Sequence, residues 1–378
     1  QDLFVINDKS FPNAVFENQG DGTFVDVSAS LGADVNFDCM SFSLGDMNGD
    51  GLQDIFHTNT YFAGDGLGSK LLVQNDSDGF TEAAEQHNLA IDAFCWGAVW
   101  MDVDNDMDLD IYVAEHDGLQ PYGLNHLYEN HVVSEDTTAE NQGTFQPFST
   151  DVYDLDYMNS HVVASADLDR NGWVDFVVHN VGNHKARIWM NGGFDNGYNS
   201  LTLGLVGTLS NPQGAGAVIT VHTATSSQSK VVCLGENYLS QESEYKTFGL
   251  KNDVIDSVQV DWPSGLSEMF LPEEHGIDPG SWNVLTEGES LCASPQTEIT
   301  TCDFPHPLPV PNSTGPFDLM WISNQGDTLS SGEAPIWFEA EPTIWTRQVL
   351  WQNTVMCTAT YALALDEPEA DLNQDGQV

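Results

Sequence analysis

Basic residues are nearly absent from this chain: 9 Lys plus Arg stand against 58 Asp plus Glu in 378 residues, a formal net charge of −49 at pH 7. A surface of that sign repels nucleic acid and anionic lipid, so neither is expected as a partner. No run of 18 apolar residues occurs, which excludes a membrane-spanning helix. No signal-peptide pattern opens the chain, and Gln1-Asp-Leu-Phe-Val-Ile-Asn7 already reads as a strand. The 11 histidines show no His-Glu-x-x-His and the 6 cysteines no CxxC, so the common zinc signatures are missing. Close carboxylate pairs arise by chance among 58 acids, so they assign no catalytic residue, and the chain is expected not to be an enzyme. Long amphipathic helical periodicity is lacking as well, and the class is read as all-β.

What the chain does contain is enough apolar residue, 40%, to bury a core, and acids placed with a period. Three segments align: Asp46-Met-Asn-Gly-Asp-Gly-Leu-Gln-Asp54, Asp102-Val-Asp-Asn-Asp-Met-Asp-Leu-Asp110 and Asp167-Leu-Asp-Arg-Asn-Gly-Trp-Val-Asp175. Each is flanked by short apolar strands, such as Ser41-Phe-Ser-Leu44 before and Ile55-Phe56 after the first. Between them recurs a strand ending in Asn and a Gly-containing turn, as in Ala14-Val-Phe-Glu-Asn18 with Gly20-Asp-Gly-Thr-Phe24, a strong hairpin signal. One repeat is then about four short strands, the size of a propeller blade. Residues 1–7 match Gln53–Asn59, so the chain reads as opening in mid-repeat. Too few repeats are present to close a ring of four to eight blades. The ring is completed by blades outside this chain, the reading favoured here, or by later strands or another subunit.

The acids are either a solvated surface or cation ligands, and their placement favours ligands. Calcium takes six to eight oxygens from alternating positions of a tight loop. Positions 1, 3, 5 and 9 offer Asp46, Asn48, Asp50 and Asp54; Asp102, Asp104, Asp106 and Asp110; and Asp167, Asp169, Asn171 and Asp175. Position 7, Leu52, Asp108 or Trp173, offers a backbone carbonyl. Gly51 and Gly172 sit where the loop turns sharply, with Met107 in their place in the second loop. These are not EF-hands, because position 12 is His57, Val113 or Val178 rather than Glu. Carboxylates this close repel without a cation, and bound calcium is expected to be part of the fold.

These loops, with Asn18-Gln-Gly-Asp-Gly-Thr-Phe24, resemble the FG-GAP/VCBS repeats of integrin-type propellers. Asn211-Pro-Gln-Gly-Ala-Gly-Ala217, Gly235-Glu-Asn-Tyr-Leu-Ser-Gln241, Phe248-Gly-Leu250 and Val260-Asp-Trp-Pro-Ser-Gly265 look like an ASPIC/UnbV domain. That pairing, in that order, is similar to the cartilage acidic protein family and its bacterial relatives. The resemblance implies a seven-bladed, calcium-loaded β-propeller in secreted proteins with no established enzymatic activity. The organisation expected is propeller repeats over 1–197, an ASPIC/UnbV-like β region over 198–289, a small Ig-like β-sandwich over 290–365, and a linker over 366–378. The linker ends in Asp371-Leu-Asn-Gln-Asp375, similar to the first half of a dockerin-like calcium loop, with Asp371, Asn373 and Asp375 as ligands.

Cys39 and Cys95 lie equally far before the first Asp of their loops, and an inter-blade disulfide is expected between them. Cys302 and Cys357 bracket the sandwich and suggest an inter-sheet bridge; Cys233 and Cys292 are left for each other. The function that follows is a secreted, calcium-stabilised scaffold for extracellular protein binding, adhesion or self-assembly, with other proteins or its own copies as partners. Self-assembly would proceed by strand exchange between subunits. A carbohydrate-binding or glycan-processing surface protein is the alternative.

Overall fold

The computed structural model describes residues 2–8, 11–60, 68–75, 79–116, 124–131, 143–148 and 156–290, and the backbone of five further strands between 299 and 364. Short apolar strands separated by Gly- and Asp-rich turns build four successive antiparallel meanders. The first holds β1 (Leu3–Val5), β2 (Ala14–Asn18) and β3 (Phe24–Asp26), followed by one helical turn, α1 (Ser28–Leu31). The second holds β4 (Cys39–Gly45), β5 (Asp54–Asn59), β6 (Lys70–Gln74) and β7 (Phe80–Glu82). The third holds β8 (Cys95–Met101), β9 (Asp110–Glu115), β10 (His126–Glu129) and β11 (Gln146–Pro147). The fourth holds β12 (Ser160–Ala166), β13 (Asp175–Asn180) and β14 (Arg187–Trp189).

Within each sheet the strands follow sequence order, as in a propeller blade, and β8 packs against both β4 and β12. Blades covered on both faces explain why Asp54-Ile-Phe-His-Thr-Asn59 is buried at every position instead of alternating. Ile55 and Leu72 pack toward Phe4 and Val15, Phe56 and Leu71 toward Trp100 and Ile111, and Tyr112 toward Phe176 and Val178. Each such buried side chain contributes about 1.5–3 kcal/mol. The all-β, propeller-like expectation is met. Four blade-like sheets stand among the described residues; the seven blades of the resemblance stay an expectation.

At Asn199 the topology changes. β15 (Asn199–Val206), β16 (Val218–Thr223), β17 (Ser227–Val231), β18 (Lys246–Lys251), β19 (Ile255–Asp261), β20 (Ser267–Phe270), the short helix α2 (Pro272–His275) and β21 (Trp282–Thr286) form a second unit. Its sheets have the orders β18-β15-β21, with β15 and β21 parallel, and β17-β16-β19-β20. They enclose a core of Leu201, Leu203, Ile219, Val221, Phe248, Val258, Val260 and Phe270. Beyond it, β22 (Ile299–Thr300), β23 (Asp318–Ser323), β24 (Thr328–Ser330), β25 (Ile344–Trp351) and β26 (Thr354–Ala364) form one sheet of order β22-β26-β25-β23-β24. A sandwich over 290–365 needs a second sheet, and the remaining residues of that span lie outside the described ones, as do Asp371, Asn373 and Asp375.

The disulfide expectation for Cys39 and Cys95 is corrected. The two residues do open equivalent strands, β4 and β8, but both are free, buried thiols. Equivalent positions of stacked sheets are separated by the sheet spacing of about 10 Å, whereas a disulfide joins Cα atoms less than about 7 Å apart. The Cys39 Sγ instead lies 3.6 Å from His57 Nδ1, and burial pushes both thiols up to about 12. Cys233 is free and half-buried, while Cys292 and Cys302 and the side chain of Cys357 lie outside the described residues.

Candidate metal centres in three acidic loops

The three acidic segments connect β4 to β5, β8 to β9 and β12 to β13, and they share one hydrogen-bond plan. The first Asp accepts two backbone N–H groups: Asp46 from Asp50 and Gly51 at 3.1 and 2.9 Å, Asp102 from Asp106 and Met107 at 3.0 and 3.0 Å, Asp167 from Asn171 and Gly172 at 3.0 and 3.1 Å. The fifth side chain accepts from the seventh N–H: Asp50 from Leu52, Asp106 from Asp108, Asn171 from Trp173. The ninth reaches back to the second N–H: Asp54 to Met47, Asp110 to Val103, Asp175 to Leu168. At position 3, Asn48 and Asp169 each accept the N–H of position 5.

Such tight winding requires left-handed backbone at two places. Position 6 is left-handed in Gly51 (φ 86°), Met107 (φ 77°) and Gly172 (φ 85°), and position 4 in Gly49 (φ 72°), Asn105 (φ 59°) and Arg170 (φ 64°). Glycine marks position 6 in two loops; position 4 carries three different residue types, which hid it from sequence reading.

One carboxylate oxygen per residue can gather within 4.8 Å among Asp102, Asp104 and Asp106, and likewise among Asp167, Asp169 and Asp175. The first loop carries Asn48 at position 3, where the other two carry Asp104 and Asp169. Burial raises Asp46 to about 6, Asp54 to about 7, Asp102 to about 7 and Asp104 to about 6; Asp110 is pushed well above, and Asp175 also up. Neighbouring carboxylates add to each of these rises. An oxygen-only donor set, clustered acids and unfavourable charge at neutral pH fit a hard divalent cation such as calcium.

Sequence reading missed the residue that ties adjacent blades. The carboxylate of position 9 also accepts the N–H of a residue just past or at the end of the third strand: Gln74 for Asp54, Asn130 for Asp110, Asn191 for Asp175. The side chains of Asn130 and Asn191 then donate to the carbonyls of Met47 and Val103 in the preceding blade's loop, at 2.8 and 2.7 Å. Asn18 donates to Asp2 in the same way, so Asp2 holds the ninth position of this plan. The only sequence signal was the recurrent Asn after the third strand.

The FG-GAP-like repeat family matches residues 1–57, and the ASPIC and UnbV family matches residues 207–275. The chain thus carries an FG-GAP-like repeat region followed by an ASPIC/UnbV region. It is similar to cartilage acidic protein 1 of Xenopus tropicalis, 24% identical over 273 residues, and to that of Homo sapiens, 27% identical over 270 residues. Each alignment takes in 70% of this chain but only 40% and 39% of the respective relative, so the chain spans well under half of either protein.

The ASPIC/UnbV domain grips the FG-GAP blades at both the loops and the inner strands. Gly249 lies so close to the second loop that a Cβ there would sit 2.0 Å from an Asp102 oxygen, and the Lys251 N–H donates to the Asn105 carbonyl at 3.1 Å. The Trp282 indole donates to Asp167 at 2.9 Å, with the Arg170 guanidinium 4.5 Å from the Trp282 ring centre. At the inner strands, Glu236 accepts the Leu44 N–H and Glu242 the Ser165 N–H, both at 3.0 Å. Asn237 donates its backbone N–H to the Phe42 carbonyl and its side chain to the Val163 carbonyl. Carboxylates thus occupy the place of a neighbouring strand on β4 and β12. Burial raises Glu236 to about 7 against the opposing influence of Lys246, 4.0 Å away.

Among the described residues, no helix is long and apolar enough to cross a membrane.

Proposed function

We propose that this protein is an extracellular, calcium-stabilised scaffold without catalytic activity, acting in protein binding, adhesion or self-assembly. One observation carries the reading: three loops share one hydrogen-bond plan, and in the second and third of them carboxylate oxygens gather within 4.8 Å of one another. In the calcium-bound form Asp46, Asn48, Asp50 and Asp54, and their equivalents in the other two loops, hold the ion, with the position 7 carbonyls of Leu52, Asp108 and Trp173 as further ligands. Calcium supplies positive charge that offsets the clustered carboxylates. The similarity to cartilage acidic protein 1 supports an extracellular setting. The absence of catalysis is consistent with the buried acids outside the loops: Glu236, Glu242, Glu268 and Glu287 are all committed to hydrogen bonds within the fold.

Thermal unfolding with millimolar calcium and again with excess EDTA tests it. A midpoint lower by ten degrees or more in EDTA is expected, since each site filled at about 100 times its dissociation constant adds about 2.7 kcal/mol. Superimposable curves would leave the acids as a solvated surface.

A second reading, glycan binding, rests on a cleft of about 590 Å³ whose lining includes Asp46, Asn48, Asp106, Asp108 and Thr225 through Lys230. A glycan array run with and without calcium separates the two. Calcium-dependent binding lost with Gln228→Ala favours the glycan; an array without signal removes it.

A further inference from the structure

The three loops share a backbone plan but differ in the cations around them. The Lys251 Nζ lies 3.7 Å from the Asp106 carboxylate in the second loop. Lys230, on β17, reaches the same loop from inside the interface. Its Nζ donates to the Thr247 carbonyl at 2.5 Å and lies 5.0 Å from the centre of the Phe248 ring, and Lys230 lines one cleft with Asp106 and Asp108 of that loop. Both lysines belong to the ASPIC/UnbV domain, and among the described residues neither the first nor the third loop has a Lys ion pair. In a chain with 9 basic residues, two stand at one loop.

We infer that Lys230 and Lys251 set the metal affinity of the second loop: they neutralise its carboxylates when it is empty and oppose the entry of a divalent cation, so this loop fills last. The inference rests on the calcium reading above. An ion held by Asp102, Asp104 and Asp106 sits about 2.3–2.6 Å from their oxygens, and therefore within about 6 Å of the Lys251 ammonium. Repulsion between a divalent and a monovalent charge at that distance, even with the dielectric constant of water, weakens binding about tenfold. Lys251 is partly exposed and screened by salt, so its own share is smaller than this figure. Linkage makes the effect mutual: calcium in the second loop loosens the hold of β18 on it.

The test is calcium titration of the full chain by calorimetry, with ions counted by native mass spectrometry, for wild type, Lys251→Gln and Lys230→Met. Hydrogen exchange of residues 246–251 is followed alongside. Wild type is expected to bind two ions more tightly than a third. In Lys251→Gln the third tightens roughly threefold, and in Lys230→Met by a factor of the same order, with the other two unchanged. Exchange at 246–251 rises as the third ion enters wild type and not in Lys251→Gln, a readout that a merely structural lysine would not move. Three ions bound with affinities that neither substitution alters would overturn the inference and leave the calcium reading standing. No ions bound by any of the three proteins would overturn both.

Discussion

Met107 occupies a left-handed position that the other two loops fill with Gly51 and Gly172. A side chain with a Cβ is strained there by about 1 kcal/mol or more. Met107→Gly is therefore expected to stabilise the calcium-bound protein by about 0.5–1 kcal/mol, read as a higher urea midpoint at unchanged slope. Gly172→Ala is expected to do the reverse, since its Cβ would lie 2.7 Å from the Ser200 hydroxyl in addition to the backbone strain. A neutral result for both would mean that the loops adapt more freely than their hydrogen-bond plan implies. At this scale the sequence was readable because the ligand positions alternate and are almost all Asp or Asn. It was misleading for Cys39 and Cys95, where equal spacing was taken for proximity although repeats repeat positions without bringing them together.

Between elements, the Glu236–Glu242 segment replaces strand pairing by carboxylate acceptors. Glu242→Ala leaves the Ser165 N–H and hydroxyl and the Asn237 amide without that partner, and it is expected to cost about 1–3 kcal/mol in urea unfolding. Glu236→Ala is expected to cost at least as much, because it strands the Leu44 N–H and also leaves half-buried Lys246 without its paired acid. Losses below about 0.5 kcal/mol for both would show that water serves these strands equally well. Blades and loops were legible because their signals are local: apolar pairs beside an acidic turn, and Gly in hairpins. The docking was not. Leu44 and Glu236 are 192 residues apart in sequence, and a Glu in a Gly-Glu-Asn-Tyr motif gives no hint of which backbone it will meet. The same holds for Asn130 and Asn191, whose partners lie in the preceding blade.

For the whole molecule, acidity and stability are linked through the loops. Asp46, Asp54, Asp102, Asp104 and Asp110 have folded values raised above those of the unfolded chain. Their protonation-linked stabilisation is complete below about 3.8 and is lost as pH rises through about 6 to 7. In EDTA the melting temperature is thus expected to rise as pH is lowered from 8 to 6, helped by relief of the net negative charge. In saturating calcium that rise should be much smaller, because the ion already compensates the carboxylates; equal slopes in the two media would count against calcium in the loops. Below that range His57 acts the other way. Fully buried and depressed to about 3, it contributes stability above about 6.5 that is lost as pH falls.

The free thiols of Cys39, Cys95 and Cys233 give the protein internal reporters. Cys39 opens the inner strand of the second blade, Cys95 lies in the core between the second and third, and Cys233 stands just ahead of the Glu236–Glu242 segment. A thiol reagent reaches the first two only when those packed faces part, so the rate at which each is alkylated measures how often its own seam breathes. The chain can therefore be timed coming apart seam by seam, without any label being introduced.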